Sequence, residues 1–386
     1  MRALALVALL LIGCATPTPS VSPTPAPTRE PNTVNVSVLL DLSGSRAPSG
    51  GPQRDAMQLW LDRPPPTSTL KLRVKFVDVA GSTSKLLLEL RRAVVDDRAD
   101  AVVVGVSVAG DGPFAQVAEV AQVPVLLTLP APEPMSGRSG GWLFALAPAP
   151  STIASAIAAD VVDRGIVAPM LLASDESPAA NLERAAFVAE LGRRGIDAPT
   201  TVTVGGTDGP VRIRIASQVA KSAVLAGPAA SYGDLIRPIA PTPAADVARI
   251  YLSYLTETAD LSNLREASAY VTWPGSRLLV SALRGGDQRP LFVGSFVDRY
   301  GQPSALAASA YDALTLIETA AAMSPAEIDP ARLRQRLEAN TVAGVTTRYT
   351  FTPTRHVGFA SDDLALLVWD RQRSAAILPP ARVTDR

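Results

Sequence analysis

The sequence predicts an α/β fold built on parallel sheets, and three observations carry that prediction. The runs VNVSVLLDLSG (Val34–Gly44), AVVVGVS (Ala101–Ser107) and VPVLLTL (Val123–Leu129) are almost unbroken in β-branched residues and leucine. Strands buried on both faces read this way. Stretches with apolar residues at helical spacing alternate with them, the rhythm of βαβ units. The rhythm pauses at WLFALAPAP and starts again, so the chain holds two such series and then a return segment. Two lobes joined by more than one crossover follow from that order.

The elements can be justified in turn. After the first strand, Ala56, Leu59 and Trp60 share one side of a helix around Gln53 to Leu61. LKLRVKFVDVAG (Leu70–Gly81) alternates cleanly and is the second strand. Ser82 or Ser84 caps the next helix, which holds Leu86, Leu87, Leu90 and Val94 at helical spacing. A helix near Phe114 to Ala121 separates the third strand from the fourth. In the second series Ser151 caps a helix through Val162, and APMLLAS (Ala168–Ser174) is a strand. A long helix from Ala179 to Arg194 leads to TTVTVGG (Thr200–Gly206), and SAVLAG (Ser222–Gly227) follows as another strand. Past Gly275 the character changes: Leu306–Ala322 and Pro330–Leu337 are helical, and RYTFTP and DLALLVWD close the chain as strands.

The amino terminus bears on location. Arg2 precedes an uninterrupted apolar run from Ala3 to Ile12, which is short of the roughly 20 residues a membrane-spanning helix needs. It matches the apolar region of a secretory signal. Leu11-Ile12-Gly13-Cys14 resembles a bacterial lipobox, whose cysteine receives diacylglycerol and becomes the new amino terminus. Cys14 is the one cysteine among 386 residues, so no disulfide competes for it, and the resemblance assigns it lipidation. Residues 15–33 are rich in Pro, Thr and Ser and cannot bury enough surface to fold. They form a semi-rigid tether of up to about 3 Å per residue.

Composition excludes several classes. Lys plus Arg and Asp plus Glu balance at 36 each, which leaves no electrostatic footprint for nucleic acid. A single histidine, His356, rules out a histidine metal cluster. Ser82-Thr83-Ser84-Lys85 fits S-x-x-K, but the S-D-N and K-T-G partners are missing. Neither a phosphate loop nor a dinucleotide turn is present. The expectation is therefore a protein that is not an enzyme and carries neither cofactor nor metal.

Several stretches taken in order resemble the type I periplasmic binding proteins, in particular the branched-chain amino-acid-binding (Leu/Ile/Val-type) lipoproteins of ABC transporters. Leu39 to Gly44 is similar to that family's opening strand and LPLSG turn. Val104-Gly105 and Val123-Pro124-Val125-Leu126 follow its third and fourth strands. FVDRYGQPSALAASAYDALTLIETA (Phe296–Ala320) and the series Gly344, Phe351, His356, Gly358, Phe359 resemble its closing part. The resemblance implies two Rossmann-like lobes, a hinge of three crossing strands, and a small solute held in the cleft for an ABC permease. It puts one lobe at residues 34–147 with 275–352 and the other at 148–274 with 353–386. Residues 1–13 are then the signal and 14–33 the lipidated cysteine and tether. Where the family carries Gly-Pro-x-x-Ser, this chain has Gly105-Val106-Ser107-Val108-Ala109.

Candidate cleft residues follow from the strand ends. Ser43 and Arg46 sit in the turn after the first strand, where Arg46 is a candidate for a ligand carboxylate or phosphate, with a solvated loop arginine as the plainer alternative. Ser107 and Asp111 follow the third strand, and Asp111 suits a helix cap as well. Thr128 supplies the hydroxyl at the end of the fourth. Ser174 and Asp175, with Glu176, follow a second-lobe strand and suit either an amine or a capping turn. Tyr232, Asp234 and Trp273 are weaker candidates for a cleft wall, and Tyr311 and Asp312 suit a role in holding a lobe together. The expected function is an extracytoplasmic, lipid-anchored solute receptor. The alternative is the same scaffold, its pocket thinned, turned to protein–protein contact or sensing at the envelope.

Overall fold

The computed structural model describes residues 30–64, 70–108, 113–132, 141–166, 168–173, 177–197, 199–204, 208–219, 222–226, 250–261, 271–281, 289–323, 328–370 and 372–379. Cys14, Asp111, Ser174, Asp175, Glu176, Tyr232 and Asp234 lie outside them.

Strands β1 (Thr33–Leu40), β2 (Lys71–Asp78), β3 (Ala101–Gly105), β4 (Val125–Leu127) and β5 (Leu143–Ala145) form a parallel sheet in the order β2-β1-β3-β4-β5. The continuous apolar runs have the cause the sequence suggested. Val36, Val38 and Leu40 face one core while Leu39, Val102 and Val104 face another, so each strand must be apolar on both sides. Helices α1 (Ala47–Asp62), α9 (Arg289–Tyr300) and α10 (Ala305–Ala322) contribute to the first core. Helices α2 (Thr83–Val95) and α3 (Pro113–Ala121) contribute to the second. Ser82 caps α2 by accepting the Lys85 N–H at 3.2 Å. At the edge, β2 exposes Lys71, Arg73 and Lys75, a pattern that discourages edge-to-edge association.

The second sheet runs β14-β13-β10-β9-β8-β6-β7. Its strands are β6 (Pro169–Ala173), β7 (Thr200–Thr203), β8 (Ser222–Ala226), β9 (Ile250–Tyr251), β10 (Val271–Ser276), β13 (Leu364–Asp370) and β14 (Ala375–Ile377). Strands β7, β6, β8, β9 and β10 pair in parallel, and β13 and β14 add antiparallel. Helices α4 (Pro150–Asp163), α5 (Pro178–Arg193), α6 (Gly209–Ser217) and the single turn α7 (Thr258–Leu261) accompany it. The short α8 (Arg277–Val280) follows β10, and α11 (Pro330–Ala339) precedes a small hairpin of β11 (Thr341–Ala343) and β12 (Arg348–Thr350).

Three expectations need correction. Ser151 is not the cap of α4: Ala149 takes that position, with extended backbone, and Pro150 opens the helix. A proline fits there because its missing N–H is not needed and its φ is preset. Helix α1 starts at Ala47, before Gln53, with Pro48 likewise inside its first turn. Trp273, a weaker candidate for a cleft wall, is instead 3% exposed in the core of the second sheet, on VTWPGS, which forms strand β10.

The chain passes between the sheets three times among the described residues: after Ala145, after Ser276, and between Thr350 and Leu364. On the last passage the His356 carbonyl accepts the Ala145 N–H at 2.8 Å, and the Ala145 carbonyl accepts the Gly358 N–H at 3.0 Å. Outgoing and returning passages are therefore hydrogen-bonded to each other.

Candidate ligand cleft at the strand ends

The carboxyl ends of β1 and β2 are joined by two aspartates. Asp78 accepts the Leu42 and Ala80 N–H groups on Oδ1, each at 2.9 Å, and the Ser43 hydroxyl on Oδ2 at 2.6 Å. The Ser43 bond, aided by the two backbone donors, pulls its carboxyl down to about 2. Asp41 is 4% exposed and accepts the Gly81 N–H at 2.6 Å. Burial pushes its carboxyl up, while the Gly81 bond and the nearby Arg46 guanidinium oppose the rise. Gly50, in the first turns of α1, lies against this strand end so closely that a Cβ would sit 1.9 Å from the Asp41 carbonyl oxygen. The turn from β1 into α1 is thus held in one shape, with Ser43 exposed and Arg46 half-buried at the helix start.

One layer below, Gln53 joins three elements. Its Nε2 donates to the Ser49 carbonyl at 2.9 Å and the Gly105 carbonyl at 3.0 Å, and its Oε1 accepts the Thr128 hydroxyl at 2.6 Å. Gly105 leaves the room for this: a Cβ there would meet Gln53 Oε1 at 2.4 Å. Thr128 is fully buried, so in this structure its hydroxyl faces Gln53 and presents nothing to solvent. Ser107 is half-buried just past β3, between buried Val106 and Val108. Ser43, Arg46 and Ser107 therefore belong to the strand-end edge, while Thr128 belongs to its support. Asp111, Ser174 and Asp175 fall outside the described residues.

The sequence reading missed Asp78 and Gln53. Asp78 ends an alternating strand, and a carboxylate where a strand meets a Val-Ala-Gly turn was the available signal. Gln53 gave none, since its partners Gly105 and Thr128 lie 52 and 75 residues away.

Between the outgoing and returning passages lies a cavity of about 310 Å³, lined by Pro148, Thr152, Arg355, His356, Phe359 and Ser361 among others. His356 is 1% exposed and stacks on Phe144 with ring centroids 4.2 Å apart. Its Nδ1 lies 2.9 Å from the Leu143 carbonyl and its Nε2 3.1 Å from Glu338 Oε1. Burial pulls its imidazole below the usual value, against the pull of Leu143 and Glu338. This histidine joins the two passages. Among the described residues no group of His, Cys, Asp and Glu could hold a metal ion. No described helix is long and apolar enough to cross a membrane.

Two α/β sheets exchange the chain three times among the described residues, and the carboxyl ends of parallel strands are where such folds receive ligands. The periplasmic binding protein family matches residues 33–374, and the chain belongs to that family. Solved structures share the fold at low identity. A solute-binding protein of an ABC transporter from Rhodopseudomonas palustris HaA2, in complex with p-hydroxybenzoic acid, superposes with a TM-score of 0.73 at 14% identity, covering 91% of this chain and 96% of that one. A second, from strain BisB5 in complex with 3,4-dihydroxybenzoic acid, gives 0.67 at 16% identity over 87% and 91%. A possible leucine/isoleucine/valine-binding protein from Rhodopirellula baltica SH 1 gives 0.70 at 15% identity over 90% and 96%. No curated protein matches the chain.

Proposed function

We propose that this protein is an exported, lipid-anchored receptor that captures a small solute between its lobes and presents it to an ABC permease. The observation that carries this reading is the family match over nearly the whole folded chain, together with the rigid strand-end edge at Ser43 and Arg46. Lipidation of Cys14 and the tether of residues 15–33 complete it, standing the folded body off the membrane. One lobe comprises residues 34–147 with 275–352, the other 148–274 with 353–386. Ser43, Arg46, Ser107, Asp111, Ser174 and Asp175 are its cleft contacts, and Thr128 supports them through Gln53. The reading involves no catalytic step.

The solute is a small carboxylic acid, amino-acid-like or aromatic. The two hydroxybenzoic acids and the Leu/Ile/Val-type description of fold neighbours motivate that class, and Arg46 suits a carboxylate. Thermal unfolding against amino acids, benzoic acids, amides, sugars and short peptides tests it. A ligand at a hundred times its Kd adds about 2.7 kcal/mol, a rise of a few degrees for a chain of this length. The second reading, a scaffold with a thinned pocket that contacts another envelope protein, draws on the burial of the Thr128 hydroxyl and on Ala109 at the family's serine position. A flat response across the panel, with capture of an envelope protein, would replace the first reading by the second.

A further inference from the structure

The cavity of about 310 Å³ between the outgoing and returning passages is lined by none of Ser43, Arg46 and Ser107. One wall is the outgoing passage at Pro148 and Ala149, continued by Ser151 and Thr152 of α4. The other is the returning passage between Thr354 and Ser361. Both walls are fixed from behind. Thr352 and Arg355 exchange backbone bonds, the Thr352 N–H donating at 2.9 Å and the Arg355 N–H at 3.1 Å, which closes the turn that carries Arg355. The two bonds at Ala145 hold the passages together, and Phe359, 2% exposed, is seated in a core of the second sheet. The walls are therefore set before any ligand arrives.

Their chemistry has one sign. Arg355 is the only Lys, Arg, Asp or Glu among the described residues lining the cavity. His356 also lines it, but burial holds its imidazole below the usual value, so it is neutral at pH 7. Both of its ring nitrogens are already engaged, with the Leu143 carbonyl and Glu338. Asp362 and Asp363 follow Ser361 without lining the cavity, and Asp363 is taken up by the Thr347 hydroxyl and the Arg348 N–H. The Arg355 guanidinium makes neither a hydrogen bond nor an ion pair, and the Thr152 and Ser361 hydroxyls are likewise uncommitted. Pro148, Val357 and Phe359 supply apolar surface beside them. An arginine fork matches a carboxylate, and an apolar wall with a few polar groups is how small-molecule sites are built. Inorganic phosphate would bring more charge than one guanidinium balances and would leave the apolar wall unused.

We propose that this cavity is a second ligand site, which takes a small organic carboxylate on Arg355 with Thr152 and Ser361 as hydroxyl partners. An occupant touches both segments that join the two sheets. A single exposed cation makes a weak site, with a Kd of about 1 mM. The proposal uses residues that the solute-capture reading does not, and it stands or falls apart from that reading.

His356 lines the cavity and is the one histidine of the chain, so the ring signals of a histidine-labelled full chain report on this place alone. Benzoate, acetate and inorganic phosphate are the probes, titrated at fixed pH and followed by nuclear magnetic resonance. Benzoate is expected to shift the ring signals saturably and acetate to do so more weakly, because it lacks the apolar body. Arg355→Gln is expected to weaken benzoate about tenfold and to leave the unfolding temperature unchanged, since the guanidinium holds no protein group. Ser361→Ala should weaken it by a smaller factor, and Arg46→Ala, which belongs to the strand-end edge, should leave this response in place. Ring signals that do not move with benzoate overturn the proposal, as does an equal response in Arg355→Gln. Tighter binding of phosphate than of benzoate overturns the assigned class. A response lost in Arg46→Ala but kept in Arg355→Gln also overturns the proposal, while supporting solute capture at the strand-end edge.

Discussion

The Ser43 hydroxyl donates to Asp78 Oδ2 across 2.6 Å, tying the turn after β1 to the end of β2. The same carboxylate takes the Leu42 and Ala80 backbone donors, so one side chain shapes the strand-end edge. Asp78→Asn keeps the volume but replaces an acceptor oxygen with a donor. It is expected to cost about 1–2 kcal/mol of stability and to weaken solute binding, read by chemical denaturation and titration. The acid response carries a sign as well. Asp78 is held near 2, below its ordinary 3.8. Its contribution is complete above about pH 4 and declines as pH falls toward 2, and the Asn variant lacks that decline.

Asp312 titrates in the opposite sense. Fully buried, it is pushed up to about 6 despite its four hydrogen bonds. The folded state therefore holds a proton that the unfolded state has released between about pH 4 and 6, so this group's contribution falls as pH rises through that window. Asp312→Asn should remove this slope and destabilise the fold by about 2–4 kcal/mol, because an amide cannot accept from all four donors. Denaturant midpoints at pH 4.5 and 7.5 for parent and variant measure both effects.

His356 provides a third dependence. Its imidazole is held below the ordinary 6.5 by burial, so its contribution is present above that value and is lost as pH falls below it. His356→Phe should preserve the stack on Phe144 but leave the Leu143 carbonyl and the Glu338 carboxylate without the ring. A loss of about 1–3 kcal/mol at pH 7 is expected. Faster amide exchange at Ala145 and Gly358, whose bonds join the two passages, would place that loss at the crossover.

Thr128 and Gly50 test the supporting layer. Thr128→Val leaves Gln53 Oε1 buried without its 2.6 Å donor, and should cost about 1–2 kcal/mol. Gly50→Ala drives a methyl against the Asp41 carbonyl oxygen, which is backbone and cannot swing aside. A loss of about 3 kcal/mol or more is expected, and denaturation midpoints order the two variants.

Much of the fold was legible in the sequence for one physical reason. The strands β1, β3 and β6 are covered on both faces, and that demand writes itself as unbroken β-branched and leucine runs. Strand β10 was not legible, because Pro274 and Gly275 ordinarily argue against a strand. It is held by partners close to and far from it in sequence, Ile250 and Tyr251 on one side and Leu364 to Val368 on the other. The strand-end turn was half legible: a Ser-Gly pair after a buried strand marked the turn that carries Ser43 and Arg46. Thr128 looked identical to a ligand-facing hydroxyl, and only its meeting with Gln53 turns it inward.

The central claim is that this chain closes on a small solute, and titration calorimetry of the full chain against benzoic acids and aliphatic amino acids tests it most directly. Saturable one-to-one binding of at least one small carboxylic acid, weakened by Arg46→Ala, is expected. Absence of binding to every member of the panel, by a protein that still unfolds cooperatively, would contradict it.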